Sequence, residues 1–431
     1  ETSGAVLNAK DIDVYIDHPQ VKGLGEMMDF VGIINGEKEP LRKVNDYRHK
    51  VIDGHAPGLI GNDLNAYVFS GVQTDHECVD PKELVEKVKR GMYVHLREGS
   101  QTKNVLDLLP GLKPEFYQQI LLCSDDLHPS DILKKGHIDH NIRLAIKYGI
   151  DPIVAISMAT INIARCYRLD KLGAIAPGYA ADIVAFKDMN NMIPELVFKK
   201  GELVAKNLKM VVENQEIEAG DLLNSVHIDE QKVHLDLSLK SDHVYVIGLI
   251  KNNITTNKIK RHIVLENGFF YSRNNQNLLK LAVIERHHFS NQVCFGLVQY
   301  YGLKDGAIAM TIAHDSHNIV CIGDNDSDMY MAISHLKEIG GGIVLVSNHN
   351  VVADLKLEVG GLMTLSSVEY VEERLLLLDK EARRLGVSDA IEDPFIQLAF
   401  LSLPVIPELK VTDKGLFDVN SYKIIPIEVG D

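Results

Sequence analysis

The 431 residues hold 45 Lys and Arg against 60 Asp and Glu, a formal charge of −15, and 45% of them are hydrophobic. This apolar content can bury the cores of two or three domains, while the acidic balance argues against a nucleic-acid partner, which draws Lys and Arg into a basic face. Cys78, Cys123, Cys166, Cys294 and Cys321 form no CxxC pair, which indicates neither a zinc ribbon nor a disulfide framework and fits a reducing cytoplasm.

The chain opens on Glu1-Thr2-Ser3-Gly4 without an initiating Met and without the basic and apolar regions of a signal peptide, so a processed or truncated product is expected. No apolar stretch is long enough to cross a bilayer. From about residue 20 to 148, strand-like apolar runs at 21–26, 51–55, 71–75, 92–96 and 119–123 alternate with segments of helical spacing such as Pro81 to Arg90. Such alternation implies βα units and a parallel sheet. Five strands are too few to close an eight-stranded barrel. Asp151-Pro152 supplies a cap and a first helical residue for a buried helix over 151–166. The turn-rich LGAIAPGYAADIVAF then feeds a strand. From about 208 the pattern becomes that of a separate α/β domain, with strands expected at 243–250, 260–266, 280–286 and 293–298 and a helix over 326–338. Gly340, Gly341 and Gly342 precede the apolar run IVLV, the wrong order for a phosphate-cradling loop.

Four groups stand at the ends of apolar runs: Glu26 in VKGLGEMM, His55 in VIDGHAPG, His76 in GVQTDHE and Asp125 in ILLCSDD. A parallel barrel would present them at one mouth. One histidine in such a place is more often a hydrogen-bonded structural residue. Two at successive strand ends, followed by Asp125, favour a metallohydrolase, because imidazole suits zinc, iron or manganese. Glu26 on an otherwise apolar strand needs a metal or hydrogen bonds to offset its burial. In Asp125-Asp126, one aspartate is also expected to cap a helix through LHPSDIL. Glu98, in HLREGS, and Glu77, beside His76, are candidate proton donors; an exposed Glu98 paired with Arg97 or Lys103 is an equally ordinary reading. His314, Asp315 and His317 in AHDSHN leave open a helical metal pair or a polar loop bonded to itself. Asp324, Asn325, Asp326 and Asp328 lack EF-hand spacing and read better as a helix cap. The H-x-E and P-C-x-x-C elements of nucleic-acid zinc deaminases are absent.

Taken in order, GLGEMMDF, DGHAPGL, GVQTDHE, LREGS, CSDDLHP and LGAIAPGYAADIVAF, with TIAHDSHN at 311–318 and GDND at 323–326, closely resemble an adenine deaminase of the amidohydrolase superfamily over nearly the whole chain. The resemblance implies an α/β protein: a metal-dependent (β/α)8 amidohydrolase barrel, its amino-terminal strands absent, over 1–167, part of a small β-sandwich over 168–207, and an additional carboxy-terminal α/β domain over 208–431. It implies hydrolysis of adenine to hypoxanthine and ammonia in purine salvage, at a binuclear divalent metal site in which manganese or iron is favoured and zinc is accommodated. Glu26 would bridge the metals, His55 and His76 would ligate the second, and Asp125 would bind the first and shuttle a proton. For that reaction Glu98, or less well Glu77, is the expected acid for the purine ring; the resemblance marks the His314, Asp315 and His317 cluster as characteristic without giving its role, and it is expected to help close the adenine pocket. A homo-oligomer is the default. The superfamily's H-x-H pair occurs nowhere in these residues, so a segment outside this chain is expected to carry it. Two alternatives are a dihydroorotase-like cyclic-amide hydrolase, which carries a carboxylated lysine where Glu26 stands, and a noncatalytic fragment.

Overall fold

In the computed structural model, the apolar runs of the first third form five short strands, β1 (Gly23–Met27), β2 (Val51–Gly54), β3 (Thr74–Asp75), β4 (Tyr93–Arg97) and β5 (Ile120–Cys123). The structure describes residues 1–430 apart from 101, 190, 214–216 and 252. β1 pairs with β2, β3 with β4 and β4 with β5, all parallel. The ladders are linked by Gln73 N–H donating to Ile52 O (3.0 Å), Gly54 N–H donating to the Thr74 hydroxyl (3.1 Å) and that hydroxyl donating to Asp53. Strand alternation then sorts the side chains. Val94 and Leu96 of β4 join Leu84, Val88, Val105, Leu108 and Ile142 in one apolar cluster, so their neighbours His95 and Arg97 face the opposite side of the sheet. The helix Pro81–Lys89 starts at Asp80, whose carboxylate accepts from the Lys82 and Glu83 amides, with Pro81 at the first position.

The expected helix over 151–166 is two helices, Pro152–Met158 and Ile161–Cys166. Asp151 caps the first as expected, accepting from the Ile153 and Val154 amides. Thr160 leaves helical backbone at φ −135°, ψ −92°, while its hydroxyl donates back to Ile156 O at 2.7 Å. A β-branched hydroxyl residue that bonds the preceding turn weakens helix continuation there. The turn-rich stretch feeds β6 (Ile183–Phe186), the first strand of an antiparallel sheet completed by β7 (Pro194–Lys199), β8 (Glu202–Lys206) and β9 (Lys209–Met210).

The chain divides into two compact units, Leu7–Gln215 and a second made of Glu1–Val6 with Glu216–Asp431. The second is built on an eight-stranded sheet that begins at its edge with β11 (Asn253–His262) beside β10 (His243–Ile250) and continues through 293–299, 278–284, 319–323, 306–310, 342–347 and 350–356. The strand expected at 260–266 in fact begins at Asn253 and ends at His262. Its half-exposed, polar sequence NITTNKIKRH is that of an edge strand and shows no apolar run. The helix Asp326–Glu338 sets Met329, Ala332, Ile333 and Leu336 against Ala307, Ala309, Val344 and Val346 of the sheet. Asn325 caps it by accepting from the Asp328 amide, the role read for that acidic run. Gly342, at φ +137°, opens the strand Gly342–Ser347, and a Cβ there would lie 1.9 Å from Leu355 O, so glycine is dictated by a helix-to-strand turn. No helix among the described residues is long and apolar enough to cross a membrane.

Candidate metal centre

The parallel strands end on one rim, and their last residues or the residues just beyond them meet. His55 Nδ1 lies 3.0 Å from Glu26 Oε1 and 3.7 Å from Glu77 Oε1. His76 Nε2 lies 3.4 Å from both Glu26 Oε2 and Glu77 Oε1, and 3.8 Å from Asp125 Oδ2. Donor atoms of Glu26, His55 and His76 fall within 4.8 Å of one another, as do those of His76, Glu77 and Asp125. Asp125 reaches this group from two residues beyond β5 because its backbone takes the left-handed turn at φ 58°, a conformation aspartate tolerates better than most residues. Neither Asp125 nor Asp126 caps the next helix. Pro129–Lys135 begins after His128, and Pro129 at its first position places the start beyond both aspartates.

The donor set fits a divalent cation. Three carboxylates and two imidazoles converge on a region where Arg97 supplies the neighbouring positive charge, its Nη1 at 2.5 Å from both Glu77 and Asp125. His55 Nδ1 is buried and faces the carboxylate oxygens of Glu26 and Glu77, a setting that suits a cation. Burial opposes protonation of His55, but Glu26 and Glu77 outweigh it and raise its pKa above the ordinary histidine value. Mixed imidazole and carboxylate donors accept zinc, iron and manganese alike. Deeper on the same face of β4, burial pushes His95 down to about 4 and leaves its Nε2 without a hydrogen-bond partner.

A buried ionic brace sits behind these donor groups. Asp75 Oδ1 accepts from the Ala56 amide (2.8 Å) and Oδ2 from the Glu77 amide (3.0 Å). Lys87 Nζ donates to Asp75 (2.8 Å), Glu83 (2.7 Å) and Ala56 O (2.7 Å), while Glu83 accepts from the Gly58 and Val79 amides. The backbone following His55 and that following His76 are therefore tied to one ammonium. Sequence reading missed Asp75 and Lys87, because Glu83 and Lys87 at i,i+4 look like a surface pair. The available signal was that Lys87 shares a helix face with Leu84 and Val88.

Glu98 does not pair with Arg97. Burial raises the pKa of its carboxyl, against the Val105 amide and the charges of Lys103 and Lys135, and it lines a small cavity with Asp131, His137 and His140. His314, Asp315 and His317 belong to the second unit, in the loop after the strand Gly306–Met310, so the helical spacing considered for a metal pair is not realised. The His314 ring stacks on Phe400 at 4.9 Å, and burial, then His314 and Arg286, push His317 down to about 4.

The chain was compared with known proteins. The Amidohydrolase family model matches residues 15–204, and the Adenine deaminase C-terminal domain model matches residues 253–423. Adenine deaminase 2 of Carboxydothermus hydrogenoformans is 45% identical over 430 residues, spanning 100% of this chain and 75% of that protein. The adenine deaminases of Clostridium acetobutylicum and Dehalococcoides mccartyi are 44% and 43% identical over 430 residues, each spanning 99% of this chain and 75% of the relative.

Proposed function

The chain belongs to the adenine deaminase family, with an α/β amidohydrolase fold, and on that premise we propose that the group around His76 carries the hydrolytic deamination of adenine to hypoxanthine and ammonia, a step of purine salvage. The observation that carries this reading is the convergence of Glu26, His55, His76, Glu77 and Asp125 at the ends of parallel strands. Glu26, His55 and His76 would hold one divalent ion, and His76, Glu77 and Asp125 offer ligands for a second; manganese or iron is favoured by the family. Bound there, the metal lowers the pKa of water enough to supply a hydroxide-strength nucleophile at neutral pH.

The protein's own groups manage the protons. Asp125 accepts the proton released as water oxygen adds to C6 and passes it to the amine as the C6–N bond breaks and ammonia leaves. Arg97 aims the Asp125 carboxylate and balances Glu77. Glu77, held by Arg97 and facing both histidines, serves as a ligand rather than as a proton donor. Glu98 is the acid for ring N1, and its burial-raised pKa suits that role. Glu98→Gln should lower kcat by about 10²-fold or more with metal content unchanged; undiminished turnover removes Glu98 from the reaction. We further propose that His314, Asp315 and His317 contribute to adenine binding. Replacing His314 and His317 should raise KM for adenine and leave bound metal unchanged.

The test of the whole reading is ammonia release from adenine, adenosine and dihydroorotate alongside metal analysis. Turnover of adenine alone, abolished by a chelator and restored by Mn²⁺ or Fe²⁺, is expected. Adenine turnover that survives complete metal removal would overturn it.

A further inference from the structure

A second cluster of metal-ligating groups lies in the second unit, among residues that the deamination chemistry does not use. His243 is the first residue of β10 and pairs directly with His262, the last residue of β11. Directly opposed residues of an antiparallel pair project from the same face. Their rings lie with centroids 5.0 Å apart at 87°. Asp242, just before β10, reaches both: Oδ1 is 2.8 Å from His243 Nδ1 and Oδ2 is 2.9 Å from His262 Nε2.

The backbone of this cluster is fixed. Ile263 N–H donates to Asp242 O (2.8 Å), Val429 N–H donates to His243 O (2.9 Å), and the His243 amide donates to the Ser241 hydroxyl (3.2 Å). One donor atom from each residue falls within 4.8 Å of the other two. Tetrahedral zinc, with ligands at about 2.0–2.2 Å, sets neighbouring ligand atoms roughly 3.3 Å apart. The imidazoles are 67% and 63% exposed, so their rings are free to make the small rotation that turns both lone pairs toward one point. Two imidazoles and one carboxylate form a recurrent three-ligand zinc set that leaves a fourth position to water, and exposure supplies that water.

We infer that Asp242, His243 and His262 form a surface site for a borderline divalent transition-metal ion, zinc, nickel or copper, separate from the deamination centre. The site has a mechanical consequence. β10 and β11 pair antiparallel at one edge of the sheet, β11 outermost, and His243 and His262 stand at the end of that pair away from Ile250 and Asn253. An ion there adds a cross-link between the two strands at that end. By the general affinity order, copper binds tightest and zinc and nickel follow.

The experiment uses the full chain with its deamination centre already metal-loaded. Zinc bound per chain is measured by equilibrium dialysis and elemental analysis, together with the zinc-induced rise in Tm, for the parent, His262→Ala, His243→Ala and Asp242→Asn. The parent should bind about one zinc per chain more than His262→Ala at micromolar free zinc. Each single variant should weaken that ion at least about tenfold and shrink the rise in Tm, with adenine turnover unchanged throughout. Equal zinc stoichiometry and equal thermal response in the parent and all three variants would overturn the proposal, and so would loss of adenine turnover in parallel with the lost ion.

Discussion

Replacing Lys87 with methionine is expected to remove about 3–5 kcal/mol of stability, the scale on which breaking a buried ion pair strands its partner charges. Lys87, Asp75 and Glu83 are 0%, 0% and 2% exposed, so water has no route to either carboxylate once the ammonium is gone. Burial acts to lower the Lys87 pKa, but the attraction of Asp75 in particular outweighs it and keeps the lysine above its ordinary value. Methionine preserves the stem and its packing against Leu84 and Val88, which isolates the charge as the variable. The chain has no tryptophan, and it has two compact units, so a single spectroscopic midpoint would mix them. Hydrogen exchange at the amides of β2 and β3 reads the affected unit directly. Adding Asp75→Asn and Glu83→Gln to the methionine variant should recover part of the loss, because neutral amides are less costly to leave buried than unpaired carboxylates. A Lys87→Met chain within about 1 kcal/mol of the parent would show that the brace does not hold the ligand loops.

What was legible in the sequence, and what was not, divides along the range of the interactions involved. The strand runs of the first third, the Asp151 cap and the helix over 326–338 rest on local apolar spacing and on side chains that bond their own backbone, and all are found in the structure. Parallel strands share an end, so Glu26, His55, His76 and Asp125, each at or just beyond a strand end, could be grouped before any contact was known. Lys87 and Arg97 could not be placed that way. Glu83 and Lys87 suggest an exposed helical pair, yet the helix turns that face inward; Arg97 and Glu98 suggest a neighbouring pair, yet strand alternation separates them and sends Arg97 to Glu77 and Asp125. β11 was started too late because edge strands are polar, and the break at Thr160 was passed over because the apolar residues continue across it.

Converting Asp125 to asparagine should lower kcat for adenine by about 10²- to 10⁴-fold, the range of a positioned proton-transfer group. The amide keeps the shape of the side chain and its capacity to accept from Arg97, while Arg97 retains Glu77 through Nη1 at 2.5 Å and Nη2 at 3.2 Å. The arrangement of the rim should therefore survive. Glu26, His55 and His76 form their donor group without Asp125, so metal at that position should be retained and KM should move little. An asparagine cannot store the proton taken from water, nor return it to the departing amine. The loss should thus fall on kcat and kcat/KM together, the signature of an interaction made in the transition state. Measuring metal content beside kcat separates the two roles proposed for Asp125: loss of one ion in proportion to the lost activity would trace the defect to ligation, whereas full metal with depressed kcat traces it to proton transfer. Arg97→Lys provides the companion measurement, since it keeps the charge but removes the second guanidinium nitrogen that bonds Glu77. It should reduce kcat by only about 10- to 100-fold, in line with groups that orient a ligand rather than react. An Asp125→Asn chain that holds its metal and turns over adenine within about threefold of the parent would remove the proton shuttle from the reaction.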